Sequence, residues 1–534
     1  MKIKYLLSSI IILALLLVGC NDLDTLPMGD EVTSTQKEGV YENNPERSEA
    51  GVNAIFAQFN QYMPNETALN ASRHNDFGYP SIMLFTDANG MDLITEDNGY
   101  NWTGNSLDFA DRSHSSNEAQ IVWNDLYSII YTANTVISTI DPETEEAQTQ
   151  FFLAQGHAAR AFTYFNLAQL YQFNYVGNES KPCVPIVTNE NSSQVEEEGA
   201  PRSTVQQVYD LILDDLNTAI ELFTSSKSIK RNDKRYMNLA VAYGLRARVH
   251  LTMQKWSEAA ADASSAISES DAAPAGLTDV NVPSFMDSSE KNWMWGIIIA
   301  ETDRVVTSGI VNWISHMGSL NYGYANFSGG RQINKTLYAT IPETDVRKGW
   351  WLDEQKKSVN LSPEFQAAAT GYGYAPFTQV KFAPYKNVPE NSTNANDIPL
   401  MRIEEMYLIK AEAEAMGAGA AVGVETLNNF VKTYRDPAYA FSATSAEEVQ
   451  EEVYRQRRIE LWGEGLNWYD VMRLNKGVDR RGAGFPDKTM IFNIPSGDPI
   501  LLWRIPEKEI IANPALSEGD NNPSAPAPTP VADI

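Results

Sequence analysis

Apolar residues recur at helical spacing over long stretches of this chain, and the stretches come in pairs. Between 204 and 223, Val205, Val208, Tyr209, Ile212, Leu213, Leu216, Ala219, Ile220 and Phe223 fall at i, i+3, i+4 and i+7, which predicts one buried helix face. Ser203, three residues before Gln206 and just after Pro201, reads as the capping box that starts this helix. Residues 151–172 predict another helix, with Phe151, Ala154, Ala158, Ala161, Phe165 and Ala168 on one face. Its small residues let a neighbouring helix approach closely. Residues 237–252 and 256–268 predict a hairpin in which Ala240, Tyr243, Gly244 and Ala247 face Trp256, Ala259, Ala260, Ala263 and Ile267. Two more pairs follow, 403–416 with 422–434 across Gly417–Gly419, and 445–462 with 466–474. In the last pair Ser445 and Glu448 form a capping box and Gly465 fits a helix end.

The hairpin at 237–268 resembles one tetratricopeptide unit, but the pairs are neither contiguous nor alike, so the array is expected to be irregular. Between the helices, 60–120 and 275–400 are rich in Gly, Asn, Ser, Pro and aromatics and are expected to be non-helical. Loops of that length are usually functional or disordered, and their aromatic content argues against disorder. Trp293 and Trp295, followed by Gly296–Ala300, read as a buried strand, and Trp350 and Trp351 as core. Residues 517–534, rich in Pro and Ala, are expected to fray.

The N-terminus changes the picture most. Lys2 and Lys4 precede an apolar run from Tyr5 to Val18, which is too short for a comfortable bilayer span. It ends in Leu17-Val18-Gly19-Cys20, which resembles the lipobox of bacterial lipoproteins and implies lipidation of Cys20. Residues 1–19 therefore read as a signal peptide and 20–45 as a lipidated, acidic tether. Cys183 is then a lone cysteine, read as a small buried hydrophobe. The net charge of −28 argues against nucleic acid and against an anionic membrane face. Two cysteines and five histidines leave little material for a metal site.

Several motifs are shared with one family. Trp123-Asn124-Asp125-Leu126-Tyr127 with Ala133-Asn134, Ala158-Ala159-Arg160-Ala161, and Arg202-Ser203-Thr204-Val205 stand in the first half. Ile403 to Ala413, Arg457 to Gly465, Trp468 to Arg473 and Ile505-Pro506-Glu507 stand in the second. Together they resemble the SusD/RagB family of surface lipoproteins over nearly the whole length. The chain departs from that pattern at Gln456 (commonly Glu), at Asn467 (commonly Arg) and over Asn174–Pro185, which puts local salt bridges in doubt. The resemblance implies a mainly α fold, an irregular tetratricopeptide-like scaffold of four helix pairs with a loop-rich region of short strands. It divides the chain into an N-terminal part, 46–225, and a C-terminal part, 226–534, of one interleaved unit. It implies a lipid-anchored protein on the outer face of the outer membrane. Such a protein binds oligosaccharide or polysaccharide, and in some members peptides, and delivers it to a SusC-like TonB-dependent transporter met by the helical array. No catalysis is implied.

Sugar recognition needs flat rings for pyranose faces and polar rims for hydroxyls, so loop aromatics are the candidates. Trp102 leads, in the polar loop from Asp97 to Asn105 that also holds Asn101; an aromatic from a comparable loop stacks on sugar in the family. Trp313, Tyr322, Tyr324 and Phe327 around Gly318–Gly330 form a second cluster, with Arg73, Asn75 and Asp76 as rim hydrogen-bonding residues. Arg458, Glu460, Glu464, Asp470 and Arg473 sit at helix-surface spacing and read as structural charges clamping the last hairpin. The run Asp87–Asp92 fails the EF-hand pattern and leaves only an irregular structural calcium site open. A surface glycoside hydrolase, which would need a carboxylate pair, and a scaffold that binds only protein remain as competing readings.

Overall fold

The computed structural model describes residues 46–63, 69, 73–96 and 102–534. The leader, the tether and Cys20 lie outside the described residues. The periodic segments are helices with nearly the expected bounds: α4 (Ala147–Tyr171), α5 (Val205–Ser225), α6 (Leu239–Thr252), α7 (Trp256–Glu269), α8 (Ile403–Ala418), α9 (Ala420–Tyr434), α10 (Ala446–Glu460) and α11 (Asn467–Arg473), and the motif Trp123–Asn134 lies in a further helix, α3 (Asn117–Thr139). Two more precede them, α1 (Glu46–Gln58) and α2 (Tyr79–Asn89). α3 packs on α4 and α6 on α7; α5 lies against both α4 and α6. α7 passes the stack on to α8, against which α9 and α10 close.

Eight short strands among the described residues form four two-stranded antiparallel sheets: β1 (Leu93–Ile94) with β5 (Gln332–Ile333), β2 (Pro182–Pro185) with β3 (Arg202–Thr204), β4 (Trp293–Ile297) with β6 (Ile398–Arg402), and β7 (Val478–Asp479) with β8 (Asn493–Ile494). The architecture is thus mainly α with small sheets. Every residue of β4 and β6 is buried, Trp293 and Trp295 included, which is why β4 reads as a continuous apolar run. Trp350 and Trp351 are core as expected.

The capping box of α5 is Thr204 with Gln207, one residue later than its expected place, because β3 carries the extended backbone through Thr204. Ser445 and Glu448 cap α10 as read from the sequence. Gly465 sits at φ +71°, where a Cβ would lie 2.7 Å from Met83, and its N–H donates to Asp87 at 3.0 Å. α2 falls inside the stretch expected to be non-helical. All eleven of its residues are buried, so it has no polar stripe for periodicity to reveal. Its last carbonyls are satisfied by Arg480, which donates to Ala88, Asn89 and Gly90 at 2.8, 3.1 and 3.0 Å.

The charges expected on a helix surface are instead buried and bonded across elements. Each oxygen of Glu460 accepts two bonds: Arg435 at 2.7 and 2.9 Å, Arg402 at 3.0 Å and Arg347 at 3.2 Å. Glu464 accepts from Lys381 at 2.6 Å and from Arg402 at 2.8 and 2.9 Å. Burial alone would raise the Glu460 carboxyl, but Arg435, Arg402 and Arg347 hold it well below the usual carboxylate range. Arg473 pairs with Asp470 at i−3, yet its bidentate partner is Glu412 of α8 at 2.6 and 2.7 Å. Arg458 reaches Asp92 at 2.5 and 2.8 Å. The departures at 456 and 467 keep their bonds: Gln456 accepts from Arg347 at 2.6 Å and Asn467 donates to Asp92 at 2.8 Å. Asp87 and Asp92, weighed for calcium, are thereby engaged by protein donors.

The tail expected to fray runs along the body. Asn522 is buried and donates to Tyr171 and Trp503, and the Val531 N–H donates to Ile491 at 2.8 Å. Cys183 is fully buried in β2, and burial pushes its thiol up to about 12.

Candidate functional site

The segment before α2 and the Trp102 loop meet at the first turn of α3, and the loop at 318–330 joins them through Tyr324. Glu118, in that turn, is buried and gathers three donors: Arg73 at 2.5 Å, Asn75 at 3.1 Å and Asn105 at 3.0 Å. Asn75 in turn donates to the Trp102 carbonyl at 2.9 Å. The Trp102 backbone is therefore fixed through two side chains to the N-terminus of a 23-residue helix.

The half-buried Trp102 ring is one layer of a stack. His74 lies parallel to it at 4.8 Å and 22°, and the Arg73 guanidinium sits 5.1 Å from its centroid. Tyr324 meets Trp102 edge-on at 6.4 Å, and its hydroxyl bonds His74 Nδ1. Behind Tyr324, His316 stacks at 4.6 Å, and its Nε2–H donates to the His74 carbonyl at 2.8 Å. Burial and Arg331 push His316 down to about 3, and burial and Arg73 lower His74, so both imidazoles are neutral at neutral pH. The two imidazoles add no charge to the stack, and its one cation, Arg73, is paired with Glu118.

Two residues along from Tyr324, Tyr322 turns outward. It is 42% exposed and meets Phe327, 54% exposed, edge-to-face at 5.2 Å. Asn394 donates to its carbonyl at 2.8 Å, within a buried asparagine cluster with Asn321 and Asn396. Tyr322 and Tyr324 are two residues apart, so their Cα atoms lie within about 7 Å. An inner ring stack and an outer ring pair therefore share one loop.

The structure revises five of the sequence-derived candidates. Asn75 is fully buried, spent on Glu118 and the Trp102 carbonyl, and is not at a rim. Trp313 is 1% exposed and packs edge-on against Phe382 at 5.1 Å; it is core and offers no face to a ligand. Asp76 is buried beneath the stack and not at its rim. Arg73 is committed to Glu118, and Tyr324 is buried and serves the stack from behind. Trp102 and Tyr322 keep accessible surface. Asn101 lies outside the described residues. His74, His316 and Glu118 were not singled out by the sequence reading. The only signal for His74 is its place in the run Arg73–Asp76, and nothing local marks His316.

Asp76 and Asp125 form a buried carboxylate pair under this site. Both oxygens of Asp125 and one of Asp76 lack a hydrogen-bond partner. Burial, opposed by Arg73, raises Asp76 to about 7, and burial with Asp76 raises Asp125 well above the carboxylate range. A glycosidase pair must reach its substrate from either side of the bond; these two are enclosed.

Comparison with known proteins bears on both halves. Residues 47–251 match a SusD-like family profile described as "starch-binding associating with outer membrane", and residues 352–523 match the SusD family profile. Between them they cover most of the chain. SusD-like protein P38 of Formosa agariphila is 25% identical over 76% of this chain and 80% of its own length. SusD-like protein P2 of the same organism is 23% identical over 97% and 99%. Among solved structures, a SusD-like carbohydrate binding protein of Bacteroides vulgatus aligns at a TM-score of 0.74, with 21% identity over 90% of this chain and 98% of that one. A protein from the same organism described as a putative sugar binding protein aligns at 0.69, with 23% identity over 90% and 98%.

Proposed function

Since this chain belongs to the SusD/RagB family, we propose that it is a receptor that captures oligosaccharides on the Trp102 and Tyr322 rings and hands them to a SusC-like TonB-dependent transporter. It does so from the outer membrane, held there by lipid on Cys20. The observation that carries this reading is the fixed ring pair. Trp102 is held by a buried hydrogen-bond hub and backed by neutral imidazoles, and the exposed Tyr322 stands on the adjoining loop. Flat, pre-set aromatic faces suit pyranose rings because no side-chain freedom is lost on binding. The low charge of the stack favours a neutral sugar over a charged peptide. The descriptions of two structural relatives as carbohydrate-binding and sugar-binding support the same class of ligand.

The test is affinity electrophoresis in gels containing neutral polysaccharides. Trp102→Ala should weaken binding to the cognate polysaccharide roughly 10-fold, about 1.4 kcal/mol, while circular dichroism and melting stay as in the wild type. Unchanged retardation would remove Trp102 from the site. For the anchor, Cys20→Ala should move the protein from the membrane fraction to the soluble fraction.

A further inference from the structure

A groove of about 920 Å³ runs along the opposite side of α3, between that helix, the segment from Pro185 to Ala200, and the short helix Glu507–Ala512. We infer that this groove is a second saccharide site, for an uncharged oligosaccharide, and that Tyr131 is its platform. The inference does not rest on the Trp102 reading, because the two sites share no ring.

Three aromatics, Trp123, Tyr127 and Tyr131, stand at i, i+4 and i+8 on α3 and so form one row along the groove. Trp123 is buried, and Tyr127 leans on it at 4.6 Å with its hydroxyl donated to Pro185 at 2.8 Å. Tyr131, at the outer end, is 75% exposed. Among the described residues no aromatic ring packs on it. The row thus grades from anchored ring to open ring, and leaves one flat face free.

The polar lining suits hydroxyls. Thr132 and Thr135 donate their hydroxyl protons back to the Ser128 and Tyr131 carbonyls at 2.9 and 3.0 Å, leaving oxygen lone pairs to accept. Asn124 accepts from Gln120 at 2.8 Å through its oxygen, which leaves its amide N–H pair as donors. A sugar hydroxyl both donates and accepts, so it finds complements of both kinds.

Charge decides the ligand class. In a chain with 69 acidic and 41 basic residues, Glu509 is the one Asp, Glu, Lys or Arg among the lining residues. Both of its oxygens are taken, by Trp123 Nε1 at 3.3 Å and Asn513 Nδ2 at 2.9 Å. An anionic glycan would find no cation among the lining residues, and the exposed Glu196, Glu197 and Glu198 beside them would repel it.

The experiment uses the chain from Cys20 onward, made soluble by Cys20→Ala. It is run through gels containing amylopectin, galactomannan, xylan or, as the anionic member, alginate. For a neutral polysaccharide that retards the wild type, Tyr131→Ala should raise the dissociation constant at least about 3-fold without changing the melting temperature. Tyr131→Phe should keep most of the binding, and Trp102→Ala with Tyr131→Ala should lose more than either alone. Tyr131→Ala that binds every neutral polysaccharide as the wild type does would overturn the inference. So would wild-type retardation by alginate alone, or by no member of the set. Retained sugar binding with loss of a co-purifying outer-membrane protein would make the groove a protein interface and overturn it too. Loss in Tyr131→Ala with none in Trp102→Ala would sink the earlier reading and leave this one standing.

Discussion

Two regions of this molecule place their chemistry in opposite ways. Around Glu460, three guanidiniums converge on one carboxylate that water does not reach. Around Trp102, the charged group Glu118 is also buried, but what it holds is a half-buried ring that keeps part of its surface accessible. The first region looks like an acid–base centre, but its charges are paired with one another. Every lone pair is spent on joining β6, α9, α10 and the turn at Asp345–Trp350. The second has almost no charge at its surface, yet it is the region with accessible planar faces. In this fold charge density marks the joints, and the ligand-facing surface is marked by rings whose backs are fixed.

The largest effect should come from the joint. Glu460→Gln leaves the three guanidiniums short of a counter-charge, which costs about 3–5 kcal/mol in urea unfolding, with any folded fraction still binding sugar. A stable Glu460→Gln protein that has lost its ligand would reverse the comparison. Glu464→Gln should lower stability less, about 2 kcal/mol, since Lys381 also donates to the carbonyls of residues 460 and 462.

The carboxylate pair under the site gives a pH signature. Unfolded Asp releases its proton near its ordinary value of about 3.9, whereas folded Asp76 holds it to about 7. Between these values the folded chain binds more protons than the unfolded chain, so stability falls as pH rises from about 4 to about 7. Asp125, held well above the carboxylate range, also keeps its proton in the folded chain and loses it on unfolding, and Asp125→Asn removes that contribution. The melting temperature of that variant should fall less than the wild type's between pH 5 and pH 7.5, by a few degrees. Parallel curves would mean that folded Asp125 does not hold its proton in this range. The smallest effect belongs to the outer ring: Tyr322→Ala should weaken sugar binding about 3-fold, less than Trp102→Ala, because its partner Phe327 remains.

How much of this was readable beforehand depended on burial. Helices with one buried face, such as α5, declare themselves, because polar residues mark the other side. α2 is enclosed on all sides, so its apolar residues carry no period. Trp102 and Trp313 sit in similar Gly- and Asn-rich surroundings. Only the fold separates them: Phe382, far along the chain, covers one, and Asn75 holds the other at the surface. The charges of α10 have surface spacing, but their partners Arg347, Arg402 and Arg435 come from distant segments, so spacing along one helix could not reveal the network. His74 and His316 are brought together by contacts about 240 residues apart in sequence, which no local pattern records.

Cys183 carries a practical consequence. Its sulfur is enclosed and its proton tightly held, so thiol-reactive dyes will not find it. A version of the chain without Cys20 therefore has no reactive cysteine, and a single cysteine placed on an exposed loop becomes a unique handle. Fluorophores attached at such handles beside Tyr322 and beside Tyr131 would report, by energy transfer, the separation between the two ring-bearing surfaces as each fills.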